Sequence, residues 1–280
     1  MKRLIQLLIF SSSLFLSTIA FAGAEFIDYS GKLTTDEIFD LLDNLNWIPD
    51  GADNNKNIYV ISAPWCSVSQ KFYENTRSKI GEVQFRWLMA GSNDSDSLTK
   101  NQILTTSRDP KKLSELYRQG SLTGKTTLKS EIESTAIILT WNALKATIMN
   151  RFHQNPGFPT AIFYNGSEWE ILSGLPNEIN QLTNKVQDRS NTQKKQPLCE
   201  IITSQGIQEI PTAFKPHTPK GKIYIYAYPS TQSLKLVSLT PDFAVDAAQT
   251  IRLADGSRWI KIIIFENNLG GWAKLDDFVL

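Results

Sequence analysis

The feature that most limits the fold of this chain is a short apolar run, Asn57–Ser62 (NIYVIS), which passes through Ala63-Pro64-Trp65 to Cys66 and then straight into helical sequence at Ser67–Ile80. A β-branched run of that length without polar alternation reads as a buried strand. A buried strand feeding a helix opens an α/β unit, and the following segments continue it. Gln84–Met89 (QFRWLM) is a second strand, and Gly91–Thr99 is a polar loop. A long helical stretch follows over Asn101–Gln119 and Lys129–Arg151. Thr160–Asn165 (TAIFYN) is a third strand, with Asn165-Gly166 as a hairpin turn into Trp169–Leu172. Asn177–Val186 is a last amphipathic helix. Upstream, Glu25–Asp50 has helical periodicity: Thr34 or Thr35 caps a run that puts Ile38, Phe39, Leu41, Leu42 and Leu45 on one face.

Gln187–Pro197 (QDRSNTQKKQP) carries no periodic apolar position and reads as a linker. Beyond it the texture changes to short alternating runs at Gly221–Tyr228, Leu234–Leu239, Thr250–Leu253, Trp259–Phe265 and Trp272–Leu275. That pattern predicts an all-β module over 198–280, a small barrel. Its Trp259, Trp272, Tyr224, Tyr226 and Tyr228 supply either an aromatic binding surface or the barrel's own core.

The first residues are an address. Lys2 and Arg3 precede an apolar stretch from Leu4 to about Phe21, and small residues at Ala20, Ala22 and Ala24 suit a signal peptidase. Cleavage after Ala22 is the favoured expectation, with Ala24 second. The rival is an uncleaved anchor, because the apolar run is almost long enough to span a bilayer. On the first expectation residues 1–22 are a signal peptide, 23–55 an N-terminal helical segment, and the mature protein is periplasmic, without stable membrane insertion.

Charge excludes one class of partner. The 29 Lys+Arg against 28 Asp+Glu leave a formal +1 over 280 residues, so the chain has no bulk electrostatic reason to bind nucleic acid. The two Cys and two His are too few for a disulfide scaffold, and no metal and no cofactor are expected.

Cys66 is the candidate nucleophile. At a helix N-terminus several free backbone N–H groups and the positive end of the macrodipole favour a thiolate, the reactive form in disulfide exchange. The competing reading is a buried small hydrophobe. Far downstream, Gly157-Phe158-Pro159-Thr160 stands directly before a buried strand, where a proline suits a cis peptide and a tight bend.

With these two constellations the chain resembles thioredoxin-fold proteins, and more narrowly the periplasmic disulfide isomerases of the DsbC/DsbG type. The resemblance is carried by NIYVISAPWCSVSQKFYEN, VQFRWLMAGSNDSDS, DPKKLSELYRQG, WNALKATIMNRFHQNPGFPTAIFYNG and SGLPNEINQL, and covers about 56–186. It implies an α/β thioredoxin-like fold with a helical insertion, followed by the small all-β barrel. The barrel is similar to bacterial Src-homology-3-like modules through IYIYAYPSTQS, GSRWIKIII and GGWAKLDDF. It further implies that Pro159 and Phe158 face Cys66, with Trp65, Phe158, Pro159 and Thr160 flanking a bound substrate segment.

The departures from the family pattern are as informative. The family's Cys-x-x-Cys is here Cys66-Ser67-Val68-Ser69, and a hydroxyl does not exchange with sulfur. Dithiol oxidase chemistry within the motif is excluded. Isomerisation is left, in which Cys66 attacks and a substrate thiol resolves, with Ser69 as a hydrogen-bond donor to the thiolate. The family's N-terminal dimerisation domain is replaced by the short segment 25–55. Cys199 is the one other thiol, either a partner that closes onto Cys66 or a structural residue at the start of the β-module. His153 either approaches Cys66 or merely ends a helix. Two functions stay open: monothiol exchange or chaperoning on exported protein substrates, and a redox-inactive scaffold for envelope-assembly partners, including those of a secretion or conjugation apparatus.

Overall fold

The computed structural model describes residues 23–29, 33–189, 198, 202, 205–213, 216–263 and 270–279. Residues 1–22, where a signal peptide is expected, most of the expected linker and Cys199 lie outside the described residues.

Five strands, β2 (Ile48–Gly51), β3 (Asn57–Ser62), β4 (Gln84–Met89), β5 (Thr160–Tyr164) and β6 (Trp169–Ser173), form one sheet in the order β2-β4-β3-β5-β6. β3 and β4 run parallel, and the other neighbours are antiparallel. A parallel pair needs a crossover, supplied here by α2 (Ser67–Thr76). A central parallel β3–β4 pair flanked by an antiparallel β5–β6 hairpin is the arrangement of a thioredoxin-like fold.

β3 is buried from Ile58 to Ser62, and strand alternation sorts its side chains between two cores. Ile58 and Val60 join Phe85, Trp87 and Phe163 on one face; Tyr59 and Ile61 join Leu88 and Ile162 on the other. The first face is covered by α2, by α4 (Pro110–Gln119) through Leu113, Leu116 and Tyr117, and by α6 (Ile179–Thr183) through Leu182. The second is covered by α1 (Thr35–Asp43) and α5 (Leu128–Phe152). With α3 (Ser95–Ser107), helices α4 and α5 make up the helical insertion between β4 and β5.

Helix boundaries follow capping chemistry. Thr34 and Glu37 form a capping box on α1, Asp94 caps α3, Asp109 followed by Pro110 starts α4, and Thr127 caps α5.

The N-terminal segment, expected to be helical up to Asp50, also gives a strand to each sheet. β1 (Ala24–Phe26) pairs antiparallel with β10 (Lys235–Leu239) of the C-terminal half. Three residues are too few to show a period. β2 contains Pro49 and Gly51, which read as a turn; it is an edge strand, the place where a missing ladder donor is tolerated.

In the C-terminal half the remaining strands are β7 (Ile207–Ile210), β8 (Pro216–Pro219), β9 (Ile223–Tyr226), β11 (Val245–Leu253), β12 (Arg258–Ile263), β13 (Gly270–Lys274) and β14 (Phe278–Val279). Their order is β1-β10-β9-β13-β12-β11-β8-β14, with β7 also on β11. The expected small Src-homology-3-like barrel is not shown: among the described residues the strands pair along an open path, from β1 on β10 at one end to β14 on β8 at the other.

Four of the five aromatics named in this half are core, and Tyr224 is half-buried against them. Tyr226, Tyr228, Trp259 and Trp272 are buried in one cluster with Ile38, Ile137 and Trp141, while α5 places Ile138 and Leu139 in the second core of the C-terminal sheet. Lys261 Nζ on β12 lies 2.6 Å from Glu131 Oε1 on α5. Thr147 Oγ1 on α5 donates to the Tyr29 carbonyl at 2.9 Å, and the Tyr29 hydroxyl donates to the Lys235 carbonyl at 2.9 Å. No helix among the described residues is long and apolar enough to cross a membrane.

Candidate active site

β3 ends at Ser62, and Cys66 becomes the N-cap of α2 in extended backbone conformation, φ −84° and ψ 111°. Its carbonyl accepts the first helical bond from Gln70 N at 3.1 Å. The side chain makes no capping bond, so the first-turn amides of α2 are left without a cap from it.

Cys66 is a half-buried free thiol, and its Sγ donates to the Phe158 carbonyl at 3.3 Å. Phe158-Pro159 is a cis peptide. The loop is stitched from both sides: Thr160 Oγ1 donates to the Gly157 carbonyl at 2.7 Å, and Gly174 N donates to the Pro159 carbonyl at 2.8 Å. Trp65 is 51% exposed and meets the Phe158 ring edge-on at 6.0 Å. The Phe158 ring in turn lies 5.9 Å from buried Trp141 on α5. Exposed Val68 on α2 and Leu175, next to Gly174, are further apolar side chains on these two elements.

Ser69 lies one helical turn on from Cys66, on nearly the same face of α2. Its side chain is wholly buried and its Oγ makes no hydrogen bond, so the expected bond from Ser69 to the cysteine sulfur is not formed. Nearby, the Tyr117 hydroxyl shares a hydrogen bond with Ser62 Oγ. Burial pushes the Tyr117 hydroxyl well above the ordinary phenol range; the Ser62 bond opposes the shift and charge on Cys66 adds to it. Tyr117 is therefore a neutral group near the cysteine at any physiological pH.

The structure thus brings Trp65, Cys66, Phe158, Pro159 and Thr160 together and sets Ser69 beneath them; Cys199 lies outside the described residues. His153 is the exposed C-cap of α5, in the left-handed region at φ 53°, which is the helix-end role. His217 is buried in the C-terminal sheet, edge-on to Phe278 at 6.0 Å. Among the described residues no group of His, Cys, Asp and Glu is arranged to hold a metal ion.

Three contributors were not legible in the sequence: Trp141, Tyr117 and Gly91. The first two sit in helices whose apolar positions all look alike. Gly91 opens a loop, and only packing reveals its role: a Cβ there would lie 2.2 Å from Ala63 Cβ and 3.1 Å from Phe158 Cε2. Gly91→Ala is expected to cost ~1–3 kcal/mol by overpacking and to alter the alkylation rate of Cys66 through Phe158. Urea unfolding and iodoacetamide kinetics check it; an unchanged midpoint and rate would show that the wall yields freely.

No protein-family model matches the chain. The chain is similar to the thiol:disulfide interchange protein DsbG of Pseudomonas aeruginosa, 35% identical over 79 residues, which are 27% of this chain and 31% of that protein. It thus spans about a third of the length of the curated relative it matches. Among solved structures it is similar to the disulfide interchange protein from Neisseria gonorrhoeae, with a TM-score of 0.37 and 21% identity over 51% of this chain and 97% of that one.

Proposed function

We propose that this chain is an exported, periplasmic monothiol protein of thiol-disulfide exchange, acting on or chaperoning other exported proteins, with Cys66 as its nucleophile. The observation that carries this reading is the Cys66 thiol at the N-terminus of α2, 3.3 Å from the Phe158 carbonyl and beside half-exposed Trp65. The local likeness to DsbG supports it.

The chemistry balances without a cofactor. The Cys66 thiolate attacks one sulfur of a substrate disulfide; a Cys66–substrate disulfide forms and the other substrate sulfur leaves as a thiolate. A different substrate thiolate then attacks the substrate sulfur of that bond, forming a new substrate disulfide and returning Cys66 as thiolate. Electrons are conserved, and the product is an isomer. Ser69 takes no part as a sulfur. Trp65, Phe158 and Pro159 would line the substrate segment at the cis-proline bend, and buried Thr160 would hold that bend through its bond to the Gly157 carbonyl.

Buried Ser69 in place of a second sulfur also favours a second reading, a redox-inactive scaffold that grips envelope-assembly partners. The two separate in one experiment. Reduced protein is mixed with a scrambled-disulfide protein, quenched with acid, and the mixed disulfides are mapped by mass spectrometry. A Cys66-linked adduct that disappears as native disulfides accumulate is the expected result. Binding without any adduct, and no labelling of Cys66 until the protein is unfolded, would leave only the scaffold.

A further inference from the structure

Phe158 is positioned from a distance. Its carbonyl accepts the Cys66 thiol, so the rotamer of the sulfur depends on where this residue sits. Its ring is held by contacts from three parts of the chain: Trp65 before the cysteine at 6.0 Å, Trp141 of α5 at 5.9 Å, and the Ala63–Gly91 backbone crossing, where no side chain fits at 91. Trp65 is half exposed and free to reorient, whereas Trp141 is 1% exposed and fixed in the core with Ile137 and Leu144. Trp141 is therefore the rigid side of the wall. Its indole Nε1 makes no hydrogen bond and the Lys145 ammonium lies 5.5 Å from its ring centroid; what it supplies to Phe158 is a broad flat face.

We infer that Trp141, on the inserted helix α5, is a positioning residue for disulfide exchange: by packing on Phe158 it fixes the wall beside Cys66, which holds the resting thiol through its carbonyl and, once the proton has left, limits the directions from which a peptide disulfide reaches the sulfur. The inference rests on the exchange reading above. In-line approach matters most for a bulky disulfide, which reaches the sulfur from few directions, and least for a small alkylating agent.

The test uses the full mature chain. Trp141→Leu keeps apolar volume without the flat ring, Trp141→Phe restores an aromatic face, and Trp272→Leu removes an equally buried tryptophan of the C-terminal sheet as a control for simple destabilisation. Two rates are measured at one pH: iodoacetamide alkylation of Cys66, and exchange of Cys66 with a disulfide-linked peptide dimer. Trp141→Leu is expected to lower exchange about tenfold relative to alkylation, with Trp141→Phe and Trp272→Leu within about twofold of wild type. An unchanged ratio in Trp141→Leu overturns the positioning role, as does an equal fall in Trp141→Phe or in Trp272→Leu. A wild-type protein that alkylates but exchanges with no peptide disulfide overturns the exchange reading itself, and the positioning role falls with it.

Discussion

Cys66→Ser is expected to reduce mixed-disulfide formation to background while leaving the fold intact. A serine hydroxyl is nearly isosteric with the thiol and can still donate to the Phe158 carbonyl, but it forms no bond to sulfur under exchange conditions. Because Cys66 is half buried at a helix cap that makes no side-chain bond, the unfolding free energy should stay within ~0.5 kcal/mol of wild type. The matching control is Cys199→Ser, since the chain has two cysteines. It should retain adduct formation. Exchange that survives Cys66→Ser and vanishes in Cys199→Ser would move the nucleophile to the other thiol and end the present assignment.

Trp87→Ala carries the largest expected loss of stability. Trp87 on β4 is fully buried, with ring contacts to Phe72 at 6.0 Å, Tyr73 at 5.6 Å and Tyr117 at 6.0 Å, so it ties β4 to α2 and α4 at once. Deleting an indole from such a site costs ~3–5 kcal/mol through lost transfer energy and a residual cavity. A polar loss adds to it: Trp87 Nε1 donates to Asp50 Oδ2 at 3.2 Å, and Asp50 is a nearly buried carboxylate paired with Arg77. Urea titration followed by far-ultraviolet circular dichroism measures the change. A loss below ~1 kcal/mol would mean that the α2–α4 layer refills the space, which a close-packed aromatic cluster does not readily do. Because Tyr117 also lies beside the Cys66 helix, Trp87→Ala should loosen the site from below as well as weaken the fold.

The β3–α2 unit, β4, the α3–α5 region and the β5–β6 hairpin are legible because each is long or strongly patterned and marked by a cap or a turn. Gly166, at φ 103°, occupies the hairpin position that Asn165-Gly166 announces. β1, β2, β7, β8 and β14 are not, since two to four residues hardly display a period and two of them, β2 and β8, contain proline. Their strand character comes from the neighbour each one finds.

Along the candidate site the same division holds. Cysteine ahead of a helix and proline ahead of a buried strand are local facts, and from them the sequence alone singled out two segments that meet in the fold and limited the motif to one sulfur, hence no internal disulfide there. That Phe158 offers its carbonyl to that sulfur, that Ser69 is buried in the core, and that Trp141 of the insertion backs the wall were decided only by tertiary structure. So was the open path of the C-terminal sheet, whose free edge is taken by a strand from the other end of the chain. The physical reason is common to all four. Period and capping are written within a few residues, whereas contacts between segments far apart in sequence depend on how volumes fill a shared core.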